Sequence, residues 1–201
     1  PINYFRLMFR RGAESATLDA EDVDTVCDEV ERLERLLARL RHLTTPRSVA
    51  RERLGLFDLA RRAEMLLRDR LAGRPLNIDV DDAVAVRCDR DQVTQVLVNL
   101  VSNALEAAGP DGQVGVHWET TDEGGKLTIW DTGRGFGDNA SDLFTPWFTT
   151  KANGTGLGLS IASRFIRGHG WAIDARRNDG RTEFVIEVPA SDMTWLEPIA
   201  A

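Results

Sequence analysis

Apolar positions in the first quarter of the chain fall at helical spacing. From Asp22 to Leu43, Val23, Val26, Val30, Leu33, Leu37 and Leu40 alternate three and four residues apart, and Leu36 and Leu43 widen the stripe into a heptad seam. Pro1 to Ala16 also reads as helical, with Ile2, Phe5, Leu7, Met8 and Phe9 apolar, and Thr17 to Glu21 supplies turn and cap chemistry between the two helices. A hairpin of two such helices cannot bury both apolar stripes alone. A second copy completing a four-helix bundle is the natural solution, which predicts a homodimer through residues 1–45; packing on the rest of the same chain is the alternative.

The pattern changes after a linker at residues 46–55, marked by Pro46 and Ser48. A helix from about Phe57 to Leu71 is followed by short strands at Asn77–Val80 and Val84–Arg87 and a long helix from about Arg90 to Ala108. Further strands are predicted at Gln113–Thr120, Lys126–Asp131, Ala172–Arg177 and Glu183–Pro189. Helices together with mainly adjacent strands predict an α+β two-layer sandwich over residues 56–190, with residues 191–201 as a tail.

Composition narrows the class. A chain of 201 residues suffices for one substantial domain and a smaller helical one. Hydrophobic residues at 42% and charged residues at 28% fit a soluble globular protein. A net charge of −7 argues against nucleic-acid binding, since the one dense Arg run, Arg32 to Arg41, alternates with Glu and Leu as the solvated side of a helix. Cys27 and Cys88 form no Cys-x-x-Cys pair, which fits a reducing, cytoplasmic setting. No run approaches the roughly 20 apolar residues that span a bilayer, and no signal peptide is visible. The start at Pro1 without Met suggests a piece of a longer protein, so a membrane is expected only through segments outside this chain, whose sensor would lie upstream.

Three stretches carry chemistry. The helix from Asp91 to Ala107 places Asn99 and Asn103 four residues apart on one face, where neutral amide oxygens suit hard Mg²⁺. A structural role for the pair is equally open at this point. Next, Lys126-Leu-Thr-Ile-Trp-Asp131 is an apolar strand ending in a carboxylate, followed by Gly133, Gly135 and Gly137. An ionised carboxylate only accepts hydrogen bonds, which suits the donating amino group of adenine, although Asp-Thr-Gly is also a plain turn. Finally, Gly154, Thr155, Gly156, Leu157 and Gly158 lead into an apolar helix, so backbone amides meet a helix N-terminus and form a phosphate cradle. This stretch lacks the spacing of a P-loop or a Rossmann fingerprint. Residues 142–153 read as a lid, with Phe144, Trp147 and Phe148 as apolar anchors or ordinary core and Lys151 available to a phosphate.

In this order the stretches resemble the N, G1 and G2 boxes, with an F box between the last two, of the histidine-kinase branch of the GHKL ATPases. Phe148-Thr-Thr-Lys151 before the glycine segment, and Gly168-His-Gly170, look most like the nitrogen-regulator type of sensor kinase. The resemblance implies the GHKL two-layer sandwich and makes Asn103 the Mg²⁺ ligand. It sets Asn99 against phosphate or metal-bound water, Asp131 against adenine, and Thr182 behind that carboxylate. It further implies ATP as cofactor, transfer of its γ-phosphoryl group to a His in the helical hairpin, and a response-regulator receiver domain as partner. Hydrolysing relatives such as gyrase carry Glu where this chain has Asn99, and an amide cannot deprotonate water.

The family's acceptor His precedes a Pro by five residues, so if Pro1 is that Pro, the His is expected upstream of the chain, the alternative being a plain helix-start proline; His42, His117 and His169 do not fit the motif. An anti-sigma-type serine kinase on the same fold, or an ATP-binding or phosphotransfer scaffold without kinase activity, are the alternatives.

Overall fold

The computed structural model describes residues 49–137, 142–151 and 154–196. The chain divides into two units between Pro46 and Arg47, and the fold described is that of the second. The hairpin, its heptad seam and dimer surface, Cys27 and His42 lie outside the described residues.

The strand Val114–Thr121 (β4 in a set of eight) shows how the alternation builds the core. The elements are β1 (Glu52–Gly55), helices α1 (Leu56–Leu66) and α2 (Arg68–Leu71), β2 (Asn77–Asp79), β3 (Val84–Cys88), helix α3 (Arg90–Ala108), β4, β5 (Gly124–Asp131), helix α4 (Gly158–Gly168), β6 (Ala172–Asn178), β7 (Arg181–Pro189) and β8 (Met193–Trp195). Val114, Val116 and Trp118 of β4 stand opposite Asp131, Ile129 and Leu127 of β5, and these stand opposite Thr182, Phe184 and Ile186 of β7. All nine are buried, because successive side chains of a strand point to opposite faces and this set meets the helices. The other face carries polar and half-exposed side chains beside the buried Val185: Arg181 lies over the Trp130 ring at 4.3 Å, and Arg176 pairs with Glu183. The sheet order is β2-β4-β5-β7-β6, with β2 parallel to β4 and the other pairs antiparallel.

Helix α3 is the central element of the helical layer, touching α1, α4, β4 and β5. Val93, Val96, Leu97, Leu100, Val101, Ala104 and Leu105 recur at three- and four-residue steps and are buried. Asp89 caps it: one carboxylate oxygen accepts the Gln92 amide at 3.0 Å and the other accepts Ala50 N–H at 3.1 Å. Replacement of Asp89 by Ala is expected to cost about 1 kcal/mol, read as a melting temperature lower by roughly 3 °C.

Two departures from the sequence reading concern short elements. The helix expected over Phe57–Leu71 breaks at Leu67, whose amide is shared between the Ala63 and Glu64 carbonyls, and restarts as α2. A strand, β1, occupies part of the stretch read as linker, and β8 lies in the stretch read as tail; both pair with β3. Arg51 secures this small sheet: its Nη1 donates to both Asp192 carboxylate oxygens at 2.9 Å and its Nη2 to the His169 carbonyl, and Asp192 also accepts Trp171 Nε1 at 2.8 Å. His169 is fully used within the fold. Its Nε2 accepts the Asp89 amide at 2.9 Å, so Nδ1 carries the proton and donates to the Phe165 carbonyl at 2.7 Å. Burial pushes its pKa down and keeps it neutral. Cys88 is a buried thiol pushed up to about 12, first by burial and then by Asp89, which leaves it unreactive. No helix among the described residues is long and apolar enough to cross a membrane.

Candidate functional site

Asn99, Asn103 and Ala107 succeed one another at four-residue steps along one face of α3, and each meets a different loop. Asn99 Nδ2 donates to the Gly158 carbonyl at 3.2 Å, while its Oδ1 accepts Gln95 Nε2 at 3.0 Å. Asn103 Oδ1 accepts from the Lys151 ammonium at 3.0 Å. Gly133 approaches the end of the helix so closely that a Cβ there would lie 2.2 Å from the Ala107 carbonyl oxygen. One helical face therefore gathers the glycine segment, the lid lysine and the turn after β5.

Asp131 ends β5 on its buried side and is only 1% exposed. Burial drives its carboxyl above the usual carboxylate range, opposed by the Gly133 amide, the Arg177 charge and the Thr182 hydroxyl. The Gly133 N–H donates to one carboxylate oxygen at 2.8 Å, and Thr182 faces Asp131 in register from β7. A buried acceptor held by two donors keeps further acceptor capacity, which fits a donor such as an adenine amino group. Gly135 and Gly137 continue the turn, and Arg177 closes it by donating to the Gly133 and Gly180 carbonyls at 3.2 Å.

The glycine segment is fixed at its exit and folded back at its entry. Leu157 is fully buried ahead of α4, which starts at Gly158. Gly156 takes φ +65°, accepts the Trp147 amide at 2.9 Å, and lies where a Cβ would come within 2.3 Å of the Trp147 carbonyl carbon, so only glycine fits. Gly154 donates its amide to the Lys151 carbonyl at 3.1 Å. Of the three lid aromatics, Phe144 packs edge-on against Phe184 of β7 with ring centres 6.4 Å apart, Phe148 is half-buried, and Trp147 is 59% exposed.

The donor set fits a magnesium nucleotide. Asn103 supplies a neutral oxygen that already has a cation beside it, and the site adds an acceptor-only carboxylate, a lysine and a run of glycine amides. Sequence reasoning missed three side chains. Glu106 pairs with both Lys151 and Arg70, and Arg70 also donates to Ser102. Burial alone would raise the Glu106 carboxyl, but hydrogen bonds from Lys151 and Arg70 hold it below the usual range. Arg177 is the third. Glu106 sits three residues after Asn103, a helical step that would have placed both on one face.

A family model described as histidine kinase-, DNA gyrase B-, and HSP90-like ATPase matches residues 88–192, more than half of the chain and the stretch from Asn99 to Thr182 entire. The chain is 30% identical to the sensor histidine kinase ZraS of Escherichia coli (strain K12), over 95% of this chain and 43% of that protein. It is 31% identical to the sensory histidine kinase/phosphatase NtrB of Rhizobium leguminosarum bv. phaseoli, over 86% of this chain and 50% of that protein. The chain thus spans half or less of these curated relatives. Among solved structures, the catalytic domain of histidine kinase ThkA is 31% identical, with a TM-score of 0.62 over 70% of this chain and 95% of that one.

Proposed function

This chain belongs to the family of histidine kinase-, DNA gyrase B- and HSP90-like ATPases, and we propose that it is the ATP-binding core of a two-component protein-histidine kinase. The face of α3 that brings Asn99, Asn103 and Ala107 against Gly158, Lys151 and Gly133 carries the reading. Asp131, backed by Thr182, would accept the amino group of adenine, with Gly133, Gly135 and Gly137 forming the turn beside the base. Asn103 would hold Mg²⁺ through its amide oxygen, and Asn99 would contact phosphate or a metal-bound water. Lys151 and the backbone of Gly154, Thr155, Gly156, Leu157 and Gly158 would cradle the phosphates.

Mg²⁺ bound there would neutralise charge on the phosphates as they react. The protein's own contribution is positioning and electrostatic stabilisation, as expected where phosphoryl transfer needs little covalent chemistry from the enzyme. Asn99 cannot take a proton from water, so transfer to a protein side chain is favoured over hydrolysis. The acceptor is a His of the helical hairpin, and the phosphoryl group passes on to a receiver domain of a response regulator. His169 is excluded as acceptor because both ring nitrogens are engaged in a buried site. Dimerisation through residues 1–45 and a cytoplasmic location for this part complete the reading.

The test is phosphoryl transfer, with γ-labelled ATP and Mg²⁺, by this chain and by any longer form of it that carries the acceptor His. Acid-labile, base-stable label on a form that carries the acceptor His is the expected result. Acid-stable label would indicate a serine kinase, and ATP binding without label a scaffold.

A further inference from the structure

Among the described residues the Lys151 ammonium makes two contacts, both to α3. Its ammonium donates to Asn103 Oδ1 at 3.0 Å and pairs with the Glu106 carboxylate one helical step beyond. Its side chain is 44% exposed, so packing does not set its position, and a lysine stem is flexible. Glu106 itself is held from the other side by Arg70 of α2. The segment that carries Lys151 is pinned at its far end by Phe144 against Phe184.

We propose that Glu106 is a positioning residue that docks Lys151 beside Asn103 and so presents its charge to the phosphates. The inference rests on the reading of this site as an ATP site. Mg²⁺ approaching Asn103 Oδ1 would compete with the ammonium for that oxygen. Glu106 retains the ammonium one step away, where without it the lysine would be free to swing into solvent. Arg70 and Lys151 together outweigh the one carboxylate, so the local charge stays positive toward an anion.

Glu106→Gln keeps the shape but removes the charge and turns one accepting oxygen into a donor, so it cannot accept from Lys151 and Arg70 together. The chain has two lysines, Lys126 and Lys151, so a lysine-specific protease reads both in one digest. Lys126 lies within β5 between β4 and β7 and reports opening of the sheet. In Glu106→Gln, cleavage after Lys151 is expected to accelerate about threefold to fivefold, the scale of a partly exposed ion pair, with cleavage after Lys126 unchanged. The dissociation constant for Mg·ATP should rise by about the same factor, but by less than about twofold when Lys151→Gln is already present. Parallel acceleration at both lysines, no acceleration at Lys151, or equal affinity losses in both backgrounds overturns the proposal. Loss confined to this inference shows as a parent chain that binds Mg·ATP and a Glu106→Gln variant that binds it equally well. A parent chain that does not bind Mg·ATP overturns the ATP reading and this inference with it.

Discussion

Asp131→Asn is expected to weaken ATP binding about 10- to 100-fold, the range of a lost hydrogen bond to a charged group, while the melting temperature holds or rises. The carboxylate is a pure acceptor buried to 1% exposure, whereas an amide turned the wrong way sets its own donors against the adenine amino group. Preference for ATP over GTP should fall with it, because guanine presents an acceptor where adenine presents a donor.

The stability half of this expectation follows from the direction of the pKa. Burial raises the folded carboxyl above its ordinary 3.8, and the Gly133 amide, Arg177 and Thr182 offset only part of that. The folded state then holds the proton more tightly than the unfolded chain. Ionisation therefore costs stability as pH rises from 3.8 through the raised value, and at neutral pH the whole cost is present. An uncharged amide carries no such cost, so any gain in melting temperature over the parent should be largest at neutral pH and shrink as pH falls toward 3.8. Isothermal titration and melting curves across pH check both halves. Unchanged ATP affinity would remove Asp131 from the role of adenine reader.

Gly133→Ala is expected to abolish measurable ATP binding and to lower the melting temperature by about 4–8 °C, from a steric cost of roughly 2 kcal/mol. The added methyl would lie 2.2 Å from the Ala107 carbonyl oxygen and 2.4 Å from its carbon, and neither backbone atom can swing aside as a side chain could. Relief requires the turn to move off the end of α3. The same movement takes away the Gly133 amide that donates to Asp131, so the helix, the turn and the carboxylate fail together. Calorimetry with and without ATP separates the two losses; normal binding with only a lower melting temperature would show that the turn is not part of the site.

The sequence announced elements whose signal is local and missed those whose signal is distant. β4, β5 and β7 read clearly because every second residue of Val114 to Trp118, Leu127 to Asp131 and Thr182 to Val188 is buried, with mostly less buried residues between. β1 and β8 did not, being four and three residues long, with Glu52 and Arg53 in a stretch that Pro46 and Ser48 mark as linker. Their strand character comes from pairing with β3, not from their own composition. The candidate site divides in the same way. Asn99, Asn103, Asp131 and the glycines stand in ordered motifs, and the structure brings Gly133 and Gly158 against the face of α3 that carries the two asparagines. Glu106, Arg70 and Arg177 looked like ordinary surface charges, since their partners lie far along the chain: Glu106 meets Lys151, Arg70 meets Glu106, and Arg177 meets Gly133.

The three-stranded sheet bears on how portable the domain is. β1 and β8 flank β3 on its two sides, so the segments at 52–55 and 193–195 run two strand spacings apart, about 10 Å. Both run antiparallel to β3 and so parallel to each other, and the chain enters β1 beside the end of β3 and leaves β8 beside its start. A linker joining them would cover the length of β3 as well as the gap across the sheet, while new ends were opened at the Asp122–Glu123 turn. This geometry makes the unit a cassette, transferable between chains or circularly permuted without rethreading its core.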